Sequence, residues 1–388
     1  MINKITKKVK VCMVVGNPFT HDARVTKESQ SLSKAGYDVT VYATERKDLP
    51  RHEKVGEIKI KRLKGRYSPI RFNLYRIPTQ LIPSIFSLVR ERADIYHAHD
   101  LDTLFSCAVA ARLNKSKLVY DSHELYLEMI KSHRVEVFGK QINDSAVLMF
   151  LYGLIEKAFI NRADAVITVS DPLREILADR YGLKRITVIM NCPPKPSYTK
   201  SNKKFHKFFS LPKDAKVILY QGALSSERGL NYLVSSIKYL PKDFYLVFMG
   251  DGAVAKSSES TQRVKFLPAV QLKELPYYTA SADIGVVQLL NNSLNNFYGL
   301  PNKIFEYMSV GLPVAAVNFP NLKKVVEETG AGTLFDGEDP KDIARAINEI
   351  LSDPKKRKKM GLNALKASRE KYNWEIEEKK LLKIYKEL

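Results

Sequence analysis

The sequence predicts an α/β protein of two Rossmann-like domains facing across a cleft. Short apolar runs of strand length alternate with helical periodicities along nearly the whole chain, the pattern of parallel, doubly wound sheets. The alternation breaks once, in a proline-, serine- and lysine-rich stretch over 191–213, and then restarts. A length of 388 residues with 45% apolar and 27% charged residues suits two ordinary globular cores.

In chain order, 9–15 is a first strand and 17–22 a polar loop. Residues 23–35 form a helix with Val25, Ser29, Leu32 and Ala35 inward, ended by Gly36. Strands follow at 39–43, 94–98 and 117–120, the last two separated by a helix over 104–113. A strand at 165–169, a helix over 172–180 and a strand at 186–190 complete the first half. The second half reads as a strand at 217–220, a helix over 229–239, strands at 245–249 and 264–266, a helix over 272–281 and a strand at 284–288. A helix over 302–310, strands at 314–317 and 333–335, a helix over 340–351 and charged helices from 354 follow. The expected domains are 1–195, with a closing helix at 372–388 packing back onto it, and 196–371. Ligands are expected in the cleft at the carboxyl edges of the two sheets.

Three cysteines, odd in number and far apart, give neither a disulfide framework nor zinc spacing and suit a reducing cytosol. The basic start followed by VKVCMVV is too short for a secretory signal and fits a first strand. The longest apolar run, 146–155, is well short of the ~20 residues that span a bilayer. Lys and Arg number 63 against 42 Asp and Glu, a net charge of +21. Between positions 46 and 76, eleven cations stand against three carboxylates, a field that attracts polyanions such as nucleic acid, an anionic lipid surface or a phosphorylated substrate. No nucleic-acid recognition module accompanies that charge.

The most informative stretch is 291–320. Pro301 has the fixed φ that suits a first helical turn, and Gly311-Leu312-Pro313 ends the helix. Asn302, Lys303 and Glu306 share one face, at i to i+3 and i to i+4 spacings, with Ile304, Phe305 and Met308 turned inward. A lysine in a first turn is favourable where an anion lies at the helix terminus, and a carboxylate one turn later can accept hydrogen bonds from two ribose hydroxyls. Those are the needs of a nucleotide. Gly222, after a strand, permits close backbone approach, and Arg228 at the next helix entry reaches a pyrophosphate. Gly250-Asp251-Gly252 repeats the arrangement after the next strand.

In the first half, His97-Ala98-His99-Asp100 ends one strand and Asp121-Ser122-His123-Glu124 the next, offering proton transfer or sugar binding. Asp100 and Asp102 match a DxD metal motif only literally. For the two histidines of His97-Ala98-His99, neighbouring strand residues alternate between faces and no third ligand is evident, which argues against a metal.

Taken together, these residues resemble the GT-B-fold glycosyltransferases of family 4, the retaining sugar-nucleotide group. The likeness extends from His21-Asp22-Ala23-Arg24-Val25 with Glu28 to the region of Trp374, and its most specific part is Leu300-Pro301-Asn302-Lys303-Ile304-Phe305-Glu306-Tyr307-Met308. The resemblance implies a nucleoside-diphosphate sugar donor bound through Gly222, Arg228, Gly250, Gly252, Asn302, Lys303 and Glu306. It implies His123, Arg228, Lys303 and Glu306 as the catalytic set. On the acceptor side it implies Asn17, His21, His99, Asp100 and Glu124. It implies a saccharide acceptor, lipid-linked if the basic region seats the protein on the cytoplasmic leaflet, with no resident cofactor, no metal and no nucleic-acid partner. Two departures stand out. Tyr298 occupies the position of the family's first glutamate, and Ala223 with Arg228 leaves one cation where an Arg…Lys pair is usual. A non-hydrolysing sugar-nucleotide 2-epimerase, which shares the fold, and a basic nucleic-acid-binding protein are the competing readings.

Overall fold

The computed structural model describes residues 8–20, 22–64, 81–128, 135–137, 140–142, 145–195, 202–252 and 262–388. The chain divides into two compact units, one formed by residues up to Met190 together with Glu378–Leu388, the other by Asn191–Glu377. The helix Trp374–Glu387 is therefore shared, its first turn belonging to one unit and its remainder to the other.

The first unit carries an eight-stranded sheet of β1 (Lys10–Val14), β2 (Asp38–Thr44), β3 (His52–Val55), β4 (Ile58–Leu63), β5 (Ile95–His99), β6 (Lys117–Ser122), β9 (Ala165–Thr168) and β10 (Thr187–Val188). Its order is β10-β9-β6-β5-β1-β2-β4-β3, parallel except where β3 pairs antiparallel with β4. A separate hairpin joins β7 (Val135–Val137) to β8 (Lys140–Ile142). Chain direction across the sheet reverses between β1 and β5, the switch point of this architecture. The central strands β1 and β5 are buried on both faces, as parallel strands covered by helices must be.

The second unit carries β11 (Lys216–Gln221), β12 (Phe244–Met249), β13 (Val264–Leu267), β14 (Ile284–Val287), β15 (Val314–Val317) and β16 (Gly332–Phe335) in the order β13-β12-β11-β14-β15-β16. Counted within the unit this is 3-2-1-4-5-6, the dinucleotide-fold order, all parallel, with its switch point between β11 and β14.

Several expectations are corrected. Residues 46–64, which the sequence marked only by their charge, carry β3 and β4 around a turn at Gly56 (φ +60°). Ile58, Ile60 and Arg62 face inward while Lys59 and Lys61 point out, a period of two that the run of charge obscured. The assumed linker over 191–213 contains a helix, Lys204–Phe209, whose Phe205 is fully buried against Tyr278. Helices at Ser145–Ile160 and Pro320–Thr329 had no counterpart in the periodicity reading. The expected helices over 229–239 and 272–281 contract to Leu230–Ser236, flanked by single 3-10 turns, and Leu275–Thr279.

Among the described residues of the basic stretch, Arg46, Arg51, Lys54, Lys59, Lys61 and Arg62 each pair with a carboxylate. Three of those partners, Glu45, Asp38 and Glu91, lie outside the stretch, so a count over the window overstates the local field. Arg66, Arg71, Arg76 and the apolar positions of 70–80 lie outside the described residues. No helix among the described residues is long and apolar enough to cross a membrane.

Candidate active site

In the second unit the site is built where β11 and β14 part. Gly222 follows β11 with φ +117° and its backbone exposed. Gly250 follows β12 at φ +153°, and a Cβ there would stand 1.9 Å from the Gly222 carbonyl oxygen. The two turns run side by side, closed by Gly222 N–H donating to Met249 O at 2.9 Å, and only glycine allows that approach. Gly252 repeats the constraint against Leu224.

The helix Asn302–Ser309 starts at Pro301 with no side-chain cap, leaving its first N–H groups to other partners. Ile304, Phe305, Tyr307 and Met308 are buried as the sequence predicts, and Phe305 stacks on Tyr372 with ring centroids 5.0 Å apart. Asn302 is exposed. Lys303 is only 8% exposed, which amphipathic patterning would not assign to a lysine. Its Nζ lies 3.6 Å from the centroid of the Tyr220 ring, a cation–π contact, and a Cβ on Gly222 would stand 3.5 Å from it.

Burial, then the nearby charge of Arg228, pushes the Lys303 ammonium well below its usual pKa, against the opposing pull of Glu306. Among the described residues no carboxylate forms an ion pair with Lys303 or Arg228. Two basic side chains, one of them desolvated, thus converge beside bare glycine backbone with no ion-paired carboxylate among the described residues, an arrangement suited to an anion.

Glu306 is set by a chain that the sequence reading did not assign. Gln221 Nε2 donates to Glu306 Oε2 at 2.5 Å, while Gln221 Oε1 accepts from Thr279 Oγ1 at 2.9 Å. The Gln221 backbone N–H donates to Tyr307 Oη at 3.1 Å, tying the strand to the helix. The only sequence signal for Gln221 was its place as the last strand residue before the glycine turn. Tyr298 sits in the loop before the helix, its carbonyl held by Asn321 Nδ2 at 2.5 Å.

In the first unit, the ends of β5 and β6 carry a dense polar network. Arg24, on the buried face of the helix Ala23–Lys34, donates from Nε and one Nη to the two oxygens of Asp121, each at 2.8 Å. It also donates to Ile189 O at 2.8 Å. His123 lies between two carboxylates, 3.1 Å from Asp100 Oδ2 and 3.1 Å from Asp121 Oδ2. Burial would lower its pKa, but Asp100 and Asp121 override that and raise it well above the usual value, favouring the charged ring. Burial likewise opposes ionisation of Asp121, yet Arg24 and His123 hold its carboxyl well below the usual range. Asp100 is fixed at φ 65°, a strained conformation for a non-glycine residue, with the His123 N–H donating to its Oδ1 at 2.9 Å. Asp102 turns to Gly16 instead, and burial followed by the charge of Asp100 raises its carboxyl to about 8. The two Asp of the literal DxD are therefore differently engaged.

The expected acceptor-side residues do not form one set. His21 lies outside the described residues. Asn17 is occupied in its own loop, donating to Asp22 Oδ2 at 2.9 Å and accepting from the Phe19 N–H at 2.8 Å. His99 is 2% exposed, with its Nδ1 3.2 Å from His123 Nε2. Glu124 is half-buried beside the Ser122 hydroxyl, which donates to its carbonyl. The expectation that His97 and His99 point to opposite faces is corrected. Two residues apart on β5, they share a face, with ring centroids 4.2 Å apart.

Residues 24–192 match the family model described as Glycosyltransferase Family 4, and residues 201–367 match that described as Glycosyl transferases group 1. A D-inositol 3-phosphate glycosyltransferase of Xylanimonas cellulosilytica is 27% identical over 250 residues, 59% of this chain and 58% of that protein. The chain thus spans little more than half of that relative's length. Spore coat protein SA of Bacillus subtilis is 24% identical over 76% of this chain and 86% of its own. Among solved structures, sucrose-phosphate synthase of Thermosynechococcus elongatus superposes with a TM-score of 0.77 at 19% identity, over 98% of this chain and 99% of that one. Anabaena HepE in complex with UDP-glucose gives 0.73 at 15% identity, over 98% of this chain and all of that one.

Proposed function

Because the chain belongs to the family 4 glycosyltransferases of GT-B fold, we propose that it moves a sugar from a nucleoside-diphosphate sugar to a saccharide acceptor, with retention at the anomeric carbon. The observation that carries this reading is the pair of basic side chains with no ion-paired carboxylate among the described residues, Lys303 and Arg228, at the switch point of the second unit.

Bound there, the diphosphate takes its hydrogen bonds from Lys303, Arg228, the Gly222 turn and the first N–H groups of the helix Asn302–Ser309. Glu306, oriented by Gln221, accepts from the ribose hydroxyls. As the glycosidic C–O bond breaks, negative charge grows on the departing phosphate, and preorganised cations stabilise that charge more than the ground state. Each such contact is worth a few kcal/mol, and Lys303 and Arg228 supply the charge that a metal supplies in other sites. The acceptor hydroxyl attacks on the face the phosphate leaves, and the phosphate oxygen takes its proton. His123, held between Asp100 and Asp121 and still partly exposed, exchanges one of those carboxylate contacts to donate to a sugar hydroxyl or phosphate oxygen.

A lipid-linked acceptor is supported by exposed apolar side chains in the first unit. Ile82 and Phe86 are exposed on one helix, and Phe150, Leu151 and Leu154 on another. On this reading the protein seats peripherally on the cytoplasmic face of an anionic membrane through these faces and the basic stretch.

The test is thermal unfolding with UDP, GDP, ADP, CMP and a short oligonucleotide, each in EDTA, beginning with UDP because HepE carries a UDP-sugar. A ligand at about 100 times its Kd stabilises by roughly 2.7 kcal/mol. A shift with one nucleoside diphosphate supports the proposal. A shift with the oligonucleotide alone, abolished by salt, refutes it.

A further inference from the structure

The Arg24–Asp121–His123 network accounts for its own charges, but behind it lies a group of atoms it does not satisfy. Glu28, His97, His99 and Asp121 each offer one ligand atom, and these atoms all lie within 4.8 Å of one another. Three of the four side chains are completely buried and His99 is 2% exposed. Both carboxylate oxygens of Glu28, Nε2 of His97 and Nε2 of His99 find no hydrogen-bond partner among the described residues. Arg24 Nε is 3.1 Å from Glu28 Oε1, but its hydrogen is directed at Asp121 Oδ2, 2.8 Å away. Buried polar atoms rarely stay unpaired, and four in one place call for a guest.

The chemistry of the four atoms selects that guest. The other ring nitrogen of each histidine is engaged: Nδ1 of His97 lies 2.8 Å from Tyr385 Oη, and Nδ1 of His99 lies 3.2 Å from His123 Nε2 and 3.4 Å from Asp121 Oδ2, the carboxylate oxygen that His123 also faces. With Nδ1 of each ring donating, each Nε2 presents a lone pair. An outer-shell partner on the far nitrogen is the arrangement that fixes tautomer and ring orientation in metal-binding histidines. The cluster is then all acceptor. One water has two hydrogens for four lone-pair atoms, and one proton serves a single pair. His97 Nε2 and Glu28 Oε2 are 4.0 Å apart, the span of two metal–ligand bonds of about 2.0–2.1 Å. The guanidinium of Arg24 does not oppose a cation outright, because both Asp121 oxygens and the Ile189 carbonyl already hold it.

We propose that Glu28, His97 and His99 form a buried binding site for one divalent transition-metal ion of the zinc type, with Asp121 or a water completing the coordination. Two imidazole nitrogens and a carboxylate suit zinc or cobalt, whereas magnesium or calcium would call for an all-oxygen set. The site is structural: it ties the helix Ala23–Lys34 to β5 and, through Tyr385, to the closing segment Glu378–Leu388 of the same unit. It is independent of the donor site in the other unit.

The experiment uses the full chain, purified without a polyhistidine tag, stripped with chelator and titrated with Co2+. Expected are one equivalent of tightly held cobalt with visible d–d absorption, displaced by Zn2+, and one zinc per chain by elemental analysis after reloading and gel filtration. The isosteric variant Glu28→Gln and the variant His97→Gln should each bind cobalt about 10–100-fold more weakly or not at all, and Tyr385→Phe, an outer-shell change, about 10-fold more weakly. Folded wild-type protein that takes up no cobalt overturns the proposal. So do d–d bands that persist unchanged in Glu28→Gln. Should the ligand variants fail to fold, the wild-type titration and Tyr385→Phe still decide.

Discussion

Lys303→Met separates a lysine kept for a ligand from one kept for the fold. The ammonium is 8% exposed, rests on the Tyr220 ring and has no carboxylate ion pair among the described residues, so the free protein holds it at a desolvation cost. Methionine fills similar space without charge. The free variant should therefore be more stable, by about 1 kcal/mol or more, which for a unit of this size is about 2–4 °C in Tm. The sign with pH follows. The folded pKa lies below the ordinary 10.5, so between the two values the unfolded chain binds more protons and wild-type stability rises with pH. That slope should disappear in Lys303→Met. Nucleoside diphosphate binding should show the reverse cost: losing a charge-assisted hydrogen bond of about 1.5–3 kcal/mol weakens affinity roughly 10- to 150-fold. A variant that is less stable, or that binds the nucleotide as tightly as wild type, refutes the reasoning.

Further outcomes test the other parts. Glu306→Ala should weaken nucleoside diphosphate binding by about 1–3 kcal/mol and abolish the preference for ribo- over deoxyribonucleotide, measured by calorimetry; unchanged affinity would remove the ribose assignment. Gly250→Ala places a Cβ 1.9 Å from the Gly222 carbonyl at a φ that side chains avoid, and should lower stability by at least about 2 kcal/mol in urea unfolding while deforming the phosphate turn. Arg24→Met leaves Asp121 and Glu28 buried without their cation and should cost about 3–5 kcal/mol; Arg24→Lys should recover only part, because one ammonium cannot serve both Asp121 oxygens. Vesicles with anionic lipid should retain the protein in a salt-dependent manner, and Phe150→Ser with Leu154→Ser should reduce that retention without altering nucleotide binding.

The donor half was legible because its signals are local. Pro301, Lys303 and Glu306 state a helix start, a cation and a carboxylate at fixed spacing, and the helix Asn302–Ser309 places them accordingly. The glycine turns after β11 and β12 were legible for the same reason. Gln221 and Thr279 were not, because their link to Glu306 joins positions 58 and 85 apart in sequence. The first half was read less well. Residue type suggested a sugar-facing His99, whereas the fold buries that ring beside His97 on one face of β5.

Alone, then, the sequence determined the two parallel α/β halves and the chemistry of the Asn302–Ser309 helix, since periodicity, caps and i to i+3 spacing are properties of neighbouring residues. The tertiary structure decided which charges are solvated, paired or stranded. It buried Lys303 on Tyr220, neutralised much of the basic stretch with Asp38, Glu45 and Glu91, and brought Arg24, His97, Asp121 and Tyr385 together. Charge energetics depend on desolvation and on partners far away in the chain, and neither is written in a local pattern.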